Sequence, residues 1–151
     1  MGVQGGWQIT AIYVAQTGEY LTPSFSGSDP SNTNTLGGIP DRIGNGNLPS
    51  SQRTIDRWFD LAAFETPSQF SFGNSGRGIL IGPGTFNVDL GIQREFPLDD
   101  FRRFQFRWEM FNMPNHVNYS SPTTDIGLAT TGKIYSAGGA RSMQLGLKFI
   151  F

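Results

Sequence analysis

The chain has 151 residues and a formal net charge of -1, from 11 Lys and Arg against 12 Asp and Glu. It has no cysteine and one histidine, which excludes a disulfide scaffold and a thiolate or multi-histidine metal site, and no basic patch suggests nucleic acid as a partner. Charged residues make up 15%, against about 25% in soluble domains, and 20 Gly with 13 Phe suit strands and turns rather than helices.

The first six residues, Met1-Gly2-Val3-Gln4-Gly5-Gly6, carry no basic residue and no apolar stretch, so they do not form a signal peptide. Met1 is expected to be an internal start or an expression boundary. A first alternating run follows, Trp7, Ile9, Ala11 and Tyr13 on one side and Gln8, Thr10, Ile12 and Val14 on the other. It predicts a strand near residues 7–15, with a second face that is half apolar. Residues 16–84 are rich in Gly, Ser, Asn, Pro and Thr and are expected to form a long loop.

The next run sets Phe86, Val88, Leu90 and Ile92 against Asn87, Asp89, Gly91 and Gln93 and predicts a strand near 85–95. A short link with Pro97-Leu98-Asp99-Asp100 as its turn leads to the clearest alternation. There Phe104, Phe106, Trp108 and Met110 fall on one face and Arg103, Gln105, Arg107 and Glu109 on the other, within a strand near 101–112. A helix would scatter those charges all round. A second long loop is expected over 113–141. The last strand, near 142–151, alternates Met143, Leu145, Leu147, Phe149 and Phe151 with Ser142, Gln144, Gly146, Lys148 and Ile150.

Strands of about 9–11 residues, apolar faces rich in Phe, Leu and Trp, and short turns alternating with long loops describe a transmembrane β-barrel. The expected fold is all-β: antiparallel strands of a transmembrane β-barrel, about four in number and so an incomplete barrel. Counting back from the C-terminus, the one tight turn falls on the periplasmic side and both long loops fall outside. A terminal aromatic on an alternating strand resembles the C-terminal signature recognised by the barrel-assembly machinery, which here would comprise Leu145, Leu147, Phe149 and Phe151.

Several motifs invite a chemical function. Gly73-Asn74-Ser75-Gly76 is superficially like a serine-hydrolase nucleophile segment with His116 as base, but no G-x-S-x-G elbow is present, and a glycine-rich loop turn is the simpler expectation. Asp56 and Asp60 could form a carboxylate pair or calcium site, against a short amphipathic helical turn with Arg57 pairing locally. Gly78 to Gly84 lacks the Gly-Lys-Ser/Thr ending of a phosphate loop. Asp89, Arg103, Arg107 and Glu109 are expected to pair across the polar interior of the barrel, where they could also touch a solute.

The ordered set Asp56-Arg57-Trp58-Phe59-Asp60, Phe72-Gly73-Asn74-Ser75-Gly76-Arg77, Gly82-Pro83-Gly84, Asn87-Val88-Asp89-Leu90, Gln105-Phe106-Arg107-Trp108-Glu109-Met110-Phe111-Asn112 and Asn115-His116-Val117-Asn118 resembles the C-terminal barrel segment of TonB-dependent-receptor-like proteins of the Oar type, abundant in acidobacteria. That resemblance covers nearly the whole chain. It implies an outer-membrane location, solute uptake or surface binding, and no enzymatic activity or cofactor. The implied partners are outer-membrane lipid, the barrel-assembly machinery, and remaining barrel strands or further copies of the chain. The plug and TonB-contacting segments of that family have no counterpart here, so no transport residue carries over. Two rivals stand beside it: a self-standing oligomeric β-pore or binding module, and a soluble secreted β-sandwich hydrolase using Ser75 and His116.

Overall fold

The computed structural model describes residues 6–151. In chain order the strands are β1 (Trp7–Gln16), β2 (Tyr20–Leu21), β3 (Asp41–Arg42), β4 (Phe64–Glu65), β5 (Leu80–Ile81), β6 (Thr85–Pro97), β7 (Arg103–Phe111) and β8 (Ser142–Ile150). Single 3-10 turns occupy Ser50–Gln52 and Leu61–Ala63, and the described residues contain no α-helix. The fold is all-β and antiparallel.

Two compact units divide the chain. The first is a four-stranded sheet in the order β1-β6-β7-β8, antiparallel throughout. Its register puts like faces together. Ile9 pairs with Ile92, Ile92 with Trp108, and Trp108 with Leu145. A slip of one residue in any strand would turn its apolar set to the opposite side. The sheet is open: within the described residues, β1 and β8 each pair on one side only.

β6 is the longest strand, continuing past the point where simple alternation ends at Gln93 to reach Pro97. Arg94 interrupts the apolar sequence pattern, but its backbone stays extended and paired with Trp7 on one side and Phe106 on the other. The link to β7 is closed by Leu98 N–H donating to the Arg102 carbonyl at 2.8 Å. Asp99 accepts from the Phe101 and Arg102 amides and from the Arg102 guanidinium. At the other end of β7, the chain turns back through Asn112 and Asn115, both with positive φ. β7 stops short of the first residues of β6, and the Asn118 side chain bonds there instead. Its Oδ1 accepts from Phe86 N–H at 2.8 Å and its Nδ2 donates to the Phe86 carbonyl at 3.0 Å.

The second unit is made from both long connections, Thr17–Gly84 and Tyr119–Ala137. They are not slack. Phe59, Ala63, Phe64 and Leu80 form a buried core, with Trp58 and Ile126 packed against it. The two segments are tied by backbone hydrogen bonds: Ser24 N–H to Thr124, Trp58 N–H to Gly132, and Ile134 N–H to Ile55. Regular pairing is limited to two ladders, β2 with β5 and β3 with β4. Gly73 packs so closely against Ile39 that a Cβ there would lie 1.7 Å from its carbonyl oxygen.

Candidate functional site

Alternation gives the sheet two chemically opposite faces. One carries Trp7, Ile9, Ala11 and Tyr13 of β1, and Phe86, Val88, Leu90, Ile92, Arg94 and Phe96 of β6. From β7 and β8 it takes Phe104, Phe106, Trp108 and Met110, then Met143, Leu145, Leu147 and Phe149. Much of this face is uncovered: Ile9 is 67% exposed, Leu145 71% and Leu147 73%. Soluble proteins rarely leave so continuous an apolar surface bare, because burying it is the main driving force of folding. A sandwich core would have covered these same residues with a second sheet.

Aromatic side chains gather at both ends of the apolar face. At the turn end, Trp7 meets Phe106 edge-on at 6.4 Å, Phe104 lies 5.0 Å from Phe149, and Phe149 stacks on Phe151 at 5.7 Å. At the opposite end Tyr13 packs on Phe86 at 5.7 Å, and Phe86 on His116 at 5.5 Å. From Phe86 to Phe96 the strand rises roughly 33 Å at about 3.3 Å per residue. Tilted by ~40°, that is about 25 Å of height, the thickness of a barrel's lipid-facing band between its aromatic girdles.

The other face is mostly polar. Arg107 pairs with Glu109 at 3.3 Å, and Glu95 takes Arg103 at 3.4 Å and the Gln105 amide at 3.0 Å. A shallow depression that includes Gly91 is lined by polar residues such as Gln8, Thr10, Asp89 and Arg107 together with Ile12 and Phe111. Gly91, between Thr10 and Glu109, adds no side chain to it. Such a surface can offer hydrogen bonds to a polar solute.

The other sequence motifs are absorbed by local structure. Ser75 is buried in the second unit, where, among the described residues, its Oγ donates only to the Gly76 carbonyl, at 3.4 Å. His116 belongs to the first unit, its Nδ1 lying 3.2 Å from Asn118 Oδ1. Each is thus engaged within its own unit. The local pairing expected for Arg57 is present, to Asp60 at 2.8 Å, but the backbone there is a turn closed by Thr54 and Arg57, not a helical one. Trp58 Nε1 donates to the Ile81 carbonyl and Phe59 enters the core, which fixes that segment for packing. Within Gly78–Gly84, Leu80 and Ile81 form β5. The described residues hold no cluster of His, Asp and Glu suited to a metal ion. Among the described residues no helix is long and apolar enough to cross a membrane, which leaves crossing by strands untouched.

Residues 2–144 match the family described as outer membrane beta barrel domain. The chain belongs to that family. Among curated proteins and solved structures, none matches it significantly. Membership in the outer membrane beta barrel family points to the outer membrane as its location and gives the bare apolar face a natural solvent. In hydrocarbon, every backbone N–H and C=O must find a partner, so the unpaired edges of β1 and β8 call for further strands in any barrel this chain helps to build. The matched span ends before Leu145, Leu147, Phe149 and Phe151.

Two features escaped sequence reading. Arg94 and Phe96 join the apolar face because β6 runs on to Pro97; the signal was the unbroken parity of Ile92, Arg94 and Phe96. Asn118 substitutes for a missing strand partner, and nothing in a local pattern announces that.

Proposed function

We propose that this outer-membrane barrel protein serves solute uptake or surface binding as part of a TonB-dependent-receptor-like assembly of the Oar type, without enzymatic activity. The observation that carries the reading is the division of labour within one chain. Four paired strands offer a bare apolar face and a polar one, and both long connections leave the same sheet end and fold together as an ordered unit. An ordered unit between strands gives a ligand a preorganised surface, which lowers the entropic cost of capture. In this reading the turn at Leu98–Arg102 is periplasmic and the second unit faces outward. The partners are outer-membrane lipid, the barrel-assembly machinery acting on Leu145, Leu147, Phe149 and Phe151, and further strands from a longer polypeptide or from other copies.

The test has two parts. In native outer membranes the protein should require detergent for extraction and migrate differently on gels before and after heating. A strain lacking its gene should lose uptake of a solute whose entry in the wild type stops on collapse of the proton gradient or loss of TonB. A protein soluble without detergent would end the barrel reading. Detergent-dependent protein with uptake indifferent to TonB would leave a barrel but remove the receptor assignment. A detergent-stable oligomer of this chain alone would favour the self-standing pore.

A further inference from the structure

Arg94 is the one charged residue that the register of the four described strands places on the apolar face. Its surroundings are unusual for a cation. The guanidinium carbon sits 5.0 Å from the Trp7 ring centroid and 4.7 Å from that of Phe96. Its Nε is buried and, among the described residues, has no hydrogen-bond partner. The ion pairs found among the described residues use Arg57, Arg102, Arg103 and Arg107. Glu95, next in the chain, lies on the opposite face and is engaged by Arg103 and Gln105.

Two aromatic faces stabilise a guanidinium but give its N–H groups no acceptor. A cation on a lipid-facing surface is costly at mid-depth and tolerable near the interface, where a long side chain can reach the headgroups. Arg94 is three residues from the end of β6, and Phe96, over which it lies, is nearer that end still. The side chain is thus directed along the strand toward the turn-end boundary of the apolar band. What lies there in a bilayer is the phosphodiester layer, and a planar guanidinium matches a phosphate with two parallel N–H donors.

We propose that Arg94, held between Trp7 and Phe96, binds the phosphate of a phospholipid in the leaflet at the turn end of the sheet. The proposal rests on the reading of the apolar face as lipid-facing. It gives the turn-side aromatic cluster a second role, in which Trp7 and Phe96 hold the guanidinium flat and shield it from competing water. The bound lipid fixes the depth of the sheet in the bilayer.

The full protein is purified in detergent, and wild type is compared with Arg94→Gln and Arg94→Lys by native mass spectrometry. The lipid probes are palmitoyl-oleoyl phosphatidylglycerol and phosphatidylethanolamine, with palmitoyl-oleoyl glycerol as the phosphate-free control. Wild type should retain one phospholipid roughly tenfold more strongly than R94Q, with R94K between them and no difference for the phosphate-free lipid. Millimolar inorganic phosphate should not displace the lipid; if it does, the site is for free phosphate. Heat-dependent gel mobility confirms that each variant is folded. Equal phospholipid retention by folded wild type and R94Q overturns the proposal and leaves the barrel reading intact. So does an R94Q destabilisation that is as large in phosphate-free lipid as in phospholipid, since it assigns Arg94 to a carboxylate on a further strand. A wild-type protein that stays soluble and folded without detergent instead removes the barrel reading.

Discussion

Leu145 offers the sharpest test of which face meets lipid. It lies on β8 opposite Trp108 and four residues before Phe149, a member of the turn-side aromatic cluster. At about 3.3 Å per residue and ~40° of tilt, that places it about 10 Å in height from Phe149, close to mid-band. Leu145 is 71% exposed, so its replacement by arginine meets no packing obstacle within the protein. In water an exposed substitution of this kind changes stability by only about 0.5 kcal/mol. In hydrocarbon it costs about 2–4 kcal/mol, a factor of roughly 30 to 900 in the folded-to-unfolded ratio. Gln144→Arg is the matched control, the neighbouring residue on the polar face opposite Glu109. Reversible denaturant unfolding in phospholipid vesicles, followed by tryptophan fluorescence, measures both. Leu145→Arg should lose about 2–4 kcal/mol and Gln144→Arg about 0.5 kcal/mol or less. Equal effects at the two positions would refute a lipid-facing apolar stripe.

Further perturbations probe the elements around that sheet. Asn118→Ala removes both bonds to the Phe86 backbone and leaves an N–H and a C=O at the end of β6 without their partner. A loss of about 1–3 kcal/mol is expected, with faster amide exchange at Phe86 as the local signature. Phe59→Ala empties the centre of the second unit's core and should cost that unit about 3–5 kcal/mol. Limited proteolysis should then cut within 17–84 while the sheet's circular dichroism persists. The Arg102 guanidinium beside Asp99, with the Phe101 and Arg102 amides, holds the Asp99 carboxyl below its ordinary value. Because the folded value is depressed, this turn is fully stabilised above the ordinary carboxylate range and loses that contribution as pH falls through the folded value. An NMR titration should show the Arg102 amide shifting in that acid window, and Asp99→Asn should abolish the shift.

What could be read from the chain, and what could not, divides along the range of the forces involved. Strand faces follow from parity, a local property, so Phe104 to Met110 and Met143 to Phe149 could be assigned to one side before any pairing was known. Pairing then brought the apolar sets of all four strands onto the same face. The end of β6 was harder because Arg94 breaks the apolar pattern while keeping the extended backbone; its cost is met by ring faces, which a binary pattern does not register. The second unit was invisible for another reason. Its cohesion comes from contacts such as Trp58 N–H to Gly132 and Ile134 N–H to Ile55, which join segments separated by much of the sequence. Gly46, at positive φ, reads as generic loop composition, yet it lies against Phe64 and Leu80 of the folded core, where a Cβ would collide with the Phe64 ring. Ser75 and His116 are residue types suggestive of catalysis, and each has a local partner: the Gly76 carbonyl for Ser75 Oγ and Asn118 Oδ1 for His116 Nδ1.

The apolar face and the unpaired edges make one requirement together. A bare face could be covered by any apolar surface, whether protein or lipid, and an open edge could be paired by any strand in water. Hydrocarbon narrows both choices at once, because it covers the face without pairing the edge. In the barrel proposed above, the strands that β1 and β8 meet would continue the rows already set by Ile9, Ile92, Trp108 and Leu145. On that proposal, a strand joining β1 would place an apolar residue opposite Ile9, and one joining β8 would place one opposite Leu145. Cysteine pairs introduced at those rows should cross-link only when the apolar parity is kept. Cross-linking in the shifted register would show that the apolar stripe does not govern assembly.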